Sequence, residues 1–180
     1  MRRCCMLGLF LFLLLTGKMT AAPSQNEWRI GGGANCYAQA GNLTDSPGVD
    51  WEIFTHHSDT TGGLWRVSVS RFEQYQTMDN QLPYVRVINA WLLRGFSIQW
   101  KEFNLIWLTG LGIGPYIEHR DGRSILLGSL GFQSEILIPI NLIGDWNMEF
   151  GLTYSGSMIP NTDRYIDRIG LVGFIIGSPF

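Results

Sequence analysis

Apolar and polar residues alternate with a period of two along much of this chain, the mark of strands whose two faces meet different surroundings. Between Leu64 and Gln76, Trp65, Val67 and Val69 share one face, and Arg66, Ser68 and Ser70 the other. Between Phe103 and Ile117, Phe103, Leu105, Trp107, Leu111 and Ile113 oppose Asn104, Gly110, Gly112 and Gly114. Between Asp145 and Ser157, Trp146, Met148, Phe150, Leu152 and Tyr154 oppose Asn147, Glu149, Gly151, Thr153 and Ser155. Further runs rich in branched and aromatic residues span Trp28 to Gln39, Val49 to His57, Leu82 to Leu93, Ser124 to Ile138 and Arg164 to Gly177, which makes eight expected strands. Turn-forming clusters separate them: Gly41 to Gly48, Ser58 to Gly63, Asp121-Gly122, Asn141 to Gly144 and Pro160-Asn161. Strands joined by such short connections are antiparallel, and their even spacing describes one domain.

The segment before Trp28 has a different pattern. Arg2 and Arg3 precede an apolar run from Met6 to Leu15, and Thr20-Ala21-Ala22 forms a small-x-small cleavage site. That is the layout of an export signal over residues 1–22, and the run is about half the ~20 residues a spanning helix needs. Cys4 and Cys5 leave with it, so Cys36 is the one cysteine of residues 23–180 and no intrachain disulfide can form there. A formal net charge of −2 with scattered basic residues leaves no electrostatic footprint for nucleic acid.

A soluble barrel hides its apolar face inside, whereas a membrane barrel turns it toward lipid. Arg66, Ser68, Ser70, Asn147, Glu149 and Thr153 on the opposite faces suit a polar lumen better than an apolar ligand cavity. Trp28, Trp51, Trp65, Trp91, Trp100, Trp107 and Trp146 fall mostly near strand ends, where interfacial girdles form. An even strand count lets both termini lie on the periplasmic side. The expected fold is therefore an all-β, eight-stranded antiparallel up-and-down transmembrane β-barrel. The fourth and eighth runs are apolar on both faces, with Arg168 on the face of Val172 and Phe174, and a bulge near Arg94-Gly95 or Gly170 would restore a polar side.

Candidate chemistry is sparse. Gly110, Gly112 and Gly114 lack the spacing of a dinucleotide loop and instead make room in a narrow lumen for large opposing side chains or an acyl chain. His56 and His57 point to opposite faces and cannot readily chelate one ion, so they read as solvated turn histidines. His119 sits among Glu118, Arg120 and Asp121 at a turn. Neither a metal nor a cofactor site is expected.

Near the chain's end, Thr153-Tyr154-Ser155-Gly156 is followed by Pro160-Asn161 and Asp167. From about Gly110 to Phe180 the sequence resembles the C-terminal half of the lipid A 3-O-deacylase family, small outer-membrane barrels whose motif is His-Tyr-Ser-Asn, then Pro-Asn, then an acid. The resemblance implies Ser155 as nucleophile and Asp167 near the place of the catalytic Glu. Thr153 replaces the motif His and Gly156 the Asn, which leaves His119 as the substitute base. Phe180, preceded at alternating positions by Ile176, Phe174 and Val172, resembles the terminal signal that outer-membrane proteins present to their insertion machinery.

Three functions follow as expectations. The first is a non-enzymatic barrel of a Gram-negative outer membrane with a structural or surface-interaction role. The second is a divergent or inactive deacylase-like esterase, using Ser155, Asp167 and His119 on outer-leaflet lipid. The third is a soluble periplasmic barrel for an apolar ligand. Expected partners are outer-membrane lipids, lipopolysaccharide and the insertion machinery.

Overall fold

A two-faced strand still needs partners for its backbone N–H and C=O groups along both edges, and the chain meets that need by closing on itself. A computed structural model describes residues 27–41, 48–59, 63–74, 84–100, 103–120, 123–142 and 146–177, so the expected signal segment and Phe180 lie outside the described residues. The strands are β1 (Glu27–Gly41), β2 (Gly48–Ser58), β3 (Gly63–Gln74), β4 (Tyr84–Trp100), β5 (Phe103–Arg120), β6 (Arg123–Asn141), β7 (Asn147–Met158) and β8 (Tyr165–Gly177). They form a closed barrel in sequence order, with β1 paired antiparallel to β8. The fold is an eight-stranded antiparallel transmembrane β-barrel. The start of β1 and the end of β8 share one rim, called here the terminal rim; the opposite one is the outer rim.

Each strand pair keeps one register throughout, and no bulge occurs near Arg94-Gly95 or Gly170. Pairing followed from Ile30 through Thr55, Val67, Leu92, Leu111, Phe132, Gly156 and Asp167 returns to β1 at Ala40, ten residues further along. A stagger of that size tilts the strands by roughly 40° from the barrel axis.

The two faces are sorted as a lipid environment requires. Ile53, Leu111 and Leu126 point outward at 71%, 69% and 68% exposure, while Arg66, Glu135 and Asn35 point inward at 0%. In water such an apolar belt would far exceed the patches that soluble monomers carry, so the soluble ligand-binding alternative fails on this wall. Trp28, Trp65, Trp107 and Trp146 face outward near the terminal rim, and Trp51 faces outward near the other. Trp91 departs from the expected girdle, since it is buried inside the barrel.

No bulge is needed in β4 and β8 because the lumen is itself apolar toward both rims. Phe54, Leu93, Leu108, Leu137, Phe174 and Ile176 belong to a cluster toward the terminal rim. Tyr37, Phe72, Val87, Tyr116, Ile159 and Ile166 belong to one toward the outer rim. Val172, Phe174 and Ile176, the apolar positions before Phe180, thus point inward, and the lipid face of β8 is made by Ile169, Leu171 and Ile175.

Among the inward glycines, Gly112 on β5 and Gly131 on β6 make room for one large side chain. Trp91 pairs with Gly112 and Gly112 with Gly131, so both lie level with the indole on the next two strands. The ring occupies the space their side chains would fill, and its Nε1 donates to Ser70 Oγ at 2.9 Å. A Cβ at Gly131 would stand 2.5 Å from Trp91. Gly112→Val should therefore destabilise the barrel by about 1–3 kcal/mol through overpacking. Urea unfolding in detergent checks this, and an unchanged midpoint would show that the indole can move aside.

Candidate functional site

Because neighbours on a strand face opposite ways, the position of each candidate residue fixes which side of the wall it serves. Ser155 faces the lumen at 1% exposure, and its Oγ has no hydrogen-bond partner among the described residues. Asp167 lies on the outward face of β8, where its Oδ1 accepts from Tyr154 Oη at 3.1 Å. Gly156 is the strand partner of Asp167, and Ser155 that of Arg168, so hydroxyl and acid lie on opposite sides of the wall. His119 is exposed near the β5–β6 turn, with Nδ1 2.8 Å from Ser124 Oγ. The three residues are not brought together, and Ser155 has neither of the others as a proton acceptor.

His56 and His57 point to opposite faces, as their adjacency dictates. Neither is a solvated turn residue, however. His57 stacks on Trp28 with ring centroids 4.5 Å apart, and His56 is buried with Nδ1 3.9 Å from Glu149 Oε1. Among the described residues no three His, Cys, Asp or Glu side chains are grouped to hold a metal ion.

The main concentration of charge is inside. Arg66, fully enclosed on β3, donates from Nη1 to Glu135 Oε2 at 2.7 Å and from Nη2 to Glu149 Oε2 at 2.5 Å. The acceptors come from β6 and β7 on the far side of the lumen. Gln133 Nε2 donates to Glu135 Oε1 at 2.6 Å and to Glu52 Oε2 at 3.5 Å. The guanidinium lies 4.1 Å from the Phe54 ring centroid and 4.9 Å from that of Phe174, so a cation–π contact covers the side the carboxylates leave open.

Further toward the outer rim, Arg168 Nη1 is 3.7 Å from Asp50 Oδ2, and its guanidinium lies 4.4 Å from the Phe72 ring. A third network joins Ser129 Oγ to Asn89 Oδ1 at 3.0 Å, and Asn89 Nδ2 to Ser157 Oγ at 3.3 Å. Above these, buried Ile159 from the β7–β8 turn packs in the outer apolar cluster. Arg164 of the same turn pairs with Glu118, which also accepts from Tyr116 Oη at 3.0 Å. Alternation places Arg66 and Glu149 inside, yet nothing local in the sequence joins Arg66 to acids 69 and 83 residues away.

A closed barrel with a lipid-facing wall and a side-chain-filled lumen is the architecture of small outer-membrane barrels. Neisserial surface protein A (NspA) has a similar structure, with a TM-score of 0.71 at 10% identity, covering 84% of this chain and 96% of that one. Ail, the attachment invasion locus protein of Yersinia pestis, is similar at a TM-score of 0.55 and 13% identity in its complex with the heparin analogue sucrose octasulfate, covering 85% of this chain and 99% of that one. A second Ail structure gives a TM-score of 0.52 at 14% identity, with the same coverage of both chains. Likeness at this level of identity concerns the fold alone, and it gives the deacylase resemblance no support. No family model and no curated protein matches the sequence.

Losing one member of a buried ion pair strands its partners. Arg66→Met should cost about 3–5 kcal/mol, whereas adding Glu135→Gln and Glu149→Gln to it should recover much of that loss. Urea midpoints of the single and triple variants test the network, and a single variant as stable as the parent would show that Arg66 carries no such load.

Proposed function

We propose that this chain is a non-enzymatic outer-membrane barrel of a Gram-negative envelope, whose outer-rim segments make surface contacts while the barrel serves as their anchor. The wall carries the reading: apolar side chains meet acyl tails, and the lumen is filled with paired charges between two apolar clusters. An eight-stranded barrel has no room for a wide channel, so transport of large solutes is not its task. Function then belongs to the rims and the exterior. Similarity in fold to NspA and to Ail, one named a surface protein and the other an attachment protein, supports a surface role. Export through the segment 1–22 and insertion through the C-terminal strand complete the proposal.

On electrophoresis the unheated chain should migrate faster than the boiled one, as closed membrane barrels do in detergent. A species with no heat-dependent shift would return the chain to the soluble class. Lipid A from cells with and without the chain should give the same mass spectrum, and Ser155→Ala should change nothing. Loss of an acyl chain that disappears in Ser155→Ala would restore the esterase reading.

A further inference from the structure

One cation on the lipid-facing wall has no acid beside it. Arg94 lies on the outward face of β4 and is exposed. The register flanks it with Trp65 on β3 and Thr109 on β5. Toward the outer rim the next outward row is Val67, Leu92 and Leu111, all exposed. Toward the terminal rim the next outward residue of β4 is Phe96, whose strand partner Trp107 meets it edge-on with ring centroids 5.2 Å apart. Arg94 thus stands where the apolar belt gives way to the aromatic one.

A guanidinium that faces hydrocarbon is costly unless a partner meets it. Among the described residues this one has a single contact, with the Trp65 ring, whose centroid is 4.8 Å from Cζ. Asp59 in the β2–β3 turn at the same rim is engaged elsewhere, since the Gly63 amide donates to its Oδ1 at 2.8 Å. The contrast on the same two strands is plain. Toward the outer rim, Arg71 Nε and Arg86 Nε donate to Glu73 Oε1 at 3.0 Å and 2.7 Å, so the wall supplies those outward arginines with an acid. It supplies none to Arg94.

With Trp65 against one face, the edge of the Arg94 guanidinium, where its N–H donors lie, is left for an acceptor from the bilayer. That acceptor must carry negative charge and must reach the border between acyl chains and headgroups. A lipid phosphate meets both conditions, and two of its oxygens match the planar fork. An ammonium group is repelled there, and a free anion would have to leave water for the edge of the hydrocarbon.

We propose that Arg94 seats the phosphate of one phospholipid from the leaflet at the terminal rim, with an acyl chain running along Val67, Leu92 and Leu111 toward the middle of the wall. Trp65 positions the guanidinium, and Phe96 and Trp107 flank the lipid where its chains join the headgroup.

This inference rests on the outer-membrane reading above, and its test separates the two. The full chain is refolded into vesicles of equal parts phosphatidylglycerol and digalactosyldiacylglycerol, which has no phosphate, then released in mild detergent and weighed by native mass spectrometry. One phosphatidylglycerol should remain on the parent chain and on Arg71→Gln. Arg94→Gln and Arg94→Leu should each retain it about tenfold less. Leucine suits a lipid-facing position, so the second variant removes the charge without endangering the barrel. Inorganic phosphate added at millimolar concentration should leave the lipid in place. Equal retention by the Arg94 variants, an equal loss in Arg71→Gln, digalactosyldiacylglycerol in place of phosphatidylglycerol, or displacement by inorganic phosphate would overturn the seat. Heat-dependent migration of the same samples reports insertion. An uninserted parent chain defeats the outer-membrane reading and the seat with it, whereas an inserted chain without phosphatidylglycerol defeats the seat alone.

Discussion

The pairing of Arg66 with Glu135 and Glu149 expresses the constraint on which the rest of the barrel depends. A wall that gives its apolar side chains to lipid must put its polar ones in the lumen, and eight strands leave too little space there for charges to keep full hydration. Each inward charge therefore needs a partner within the lumen. Arg66 reaches from β3 to β6 and β7, and Phe54 and Phe174 cover the rest of its guanidinium. Arg168 and Asp50 repeat the arrangement on a looser scale, with Tyr37 and Phe72 beneath the cation. Apolar clusters toward both rims flank these layers inside the barrel.

Much of this was legible in the residues. Turn clusters separated the strands, and alternation in β3, β5 and β7 assigned the two faces correctly because the solvents on the two sides differ so sharply. Of the bare inward positions of β5, Gly112 makes room for Trp91, whereas a side chain at Gly110 or Gly114 would meet the backbone of β4. What misled was local resemblance. Trp91 resembles a girdle residue by type, yet it shares the inward parity of Val85, Val87 and Leu93. The expected fourth strand stops at Leu93, with Arg94-Gly95 read as a possible bulge, but β4, β5 and β6 run on to 17, 18 and 19 residues. The apolar faces of β4 and β8 suggested a bulge only under the assumption of a uniformly polar lumen.

The candidate site shows a different kind of limit. Ser155 and Asp167 follow one another plausibly along a motif, with His119 brought in from outside it, but a motif read by order says nothing about the side of the wall. Parity does, and it separates Ser155 from Asp167 across a single thickness of sheet. The lumen network was half visible, since Arg66 and Glu149 were recognisable as inward residues. Their partnership was not, because it depends on the diameter and stagger of the closed ring, which no window of sequence contains.

That stagger has a bearing on biogenesis. A path traced once around the wall climbs ten residues before meeting its starting strand, so β1 completes its hydrogen bonds only when β8 arrives. Until then both border strands would carry bare amides and carbonyls that hydrocarbon cannot satisfy. The charges that meet across the lumen would also lack their counterparts. Half a barrel is thus no stable state in a bilayer, and the wall becomes compatible with hydrocarbon only when its last strand joins the first.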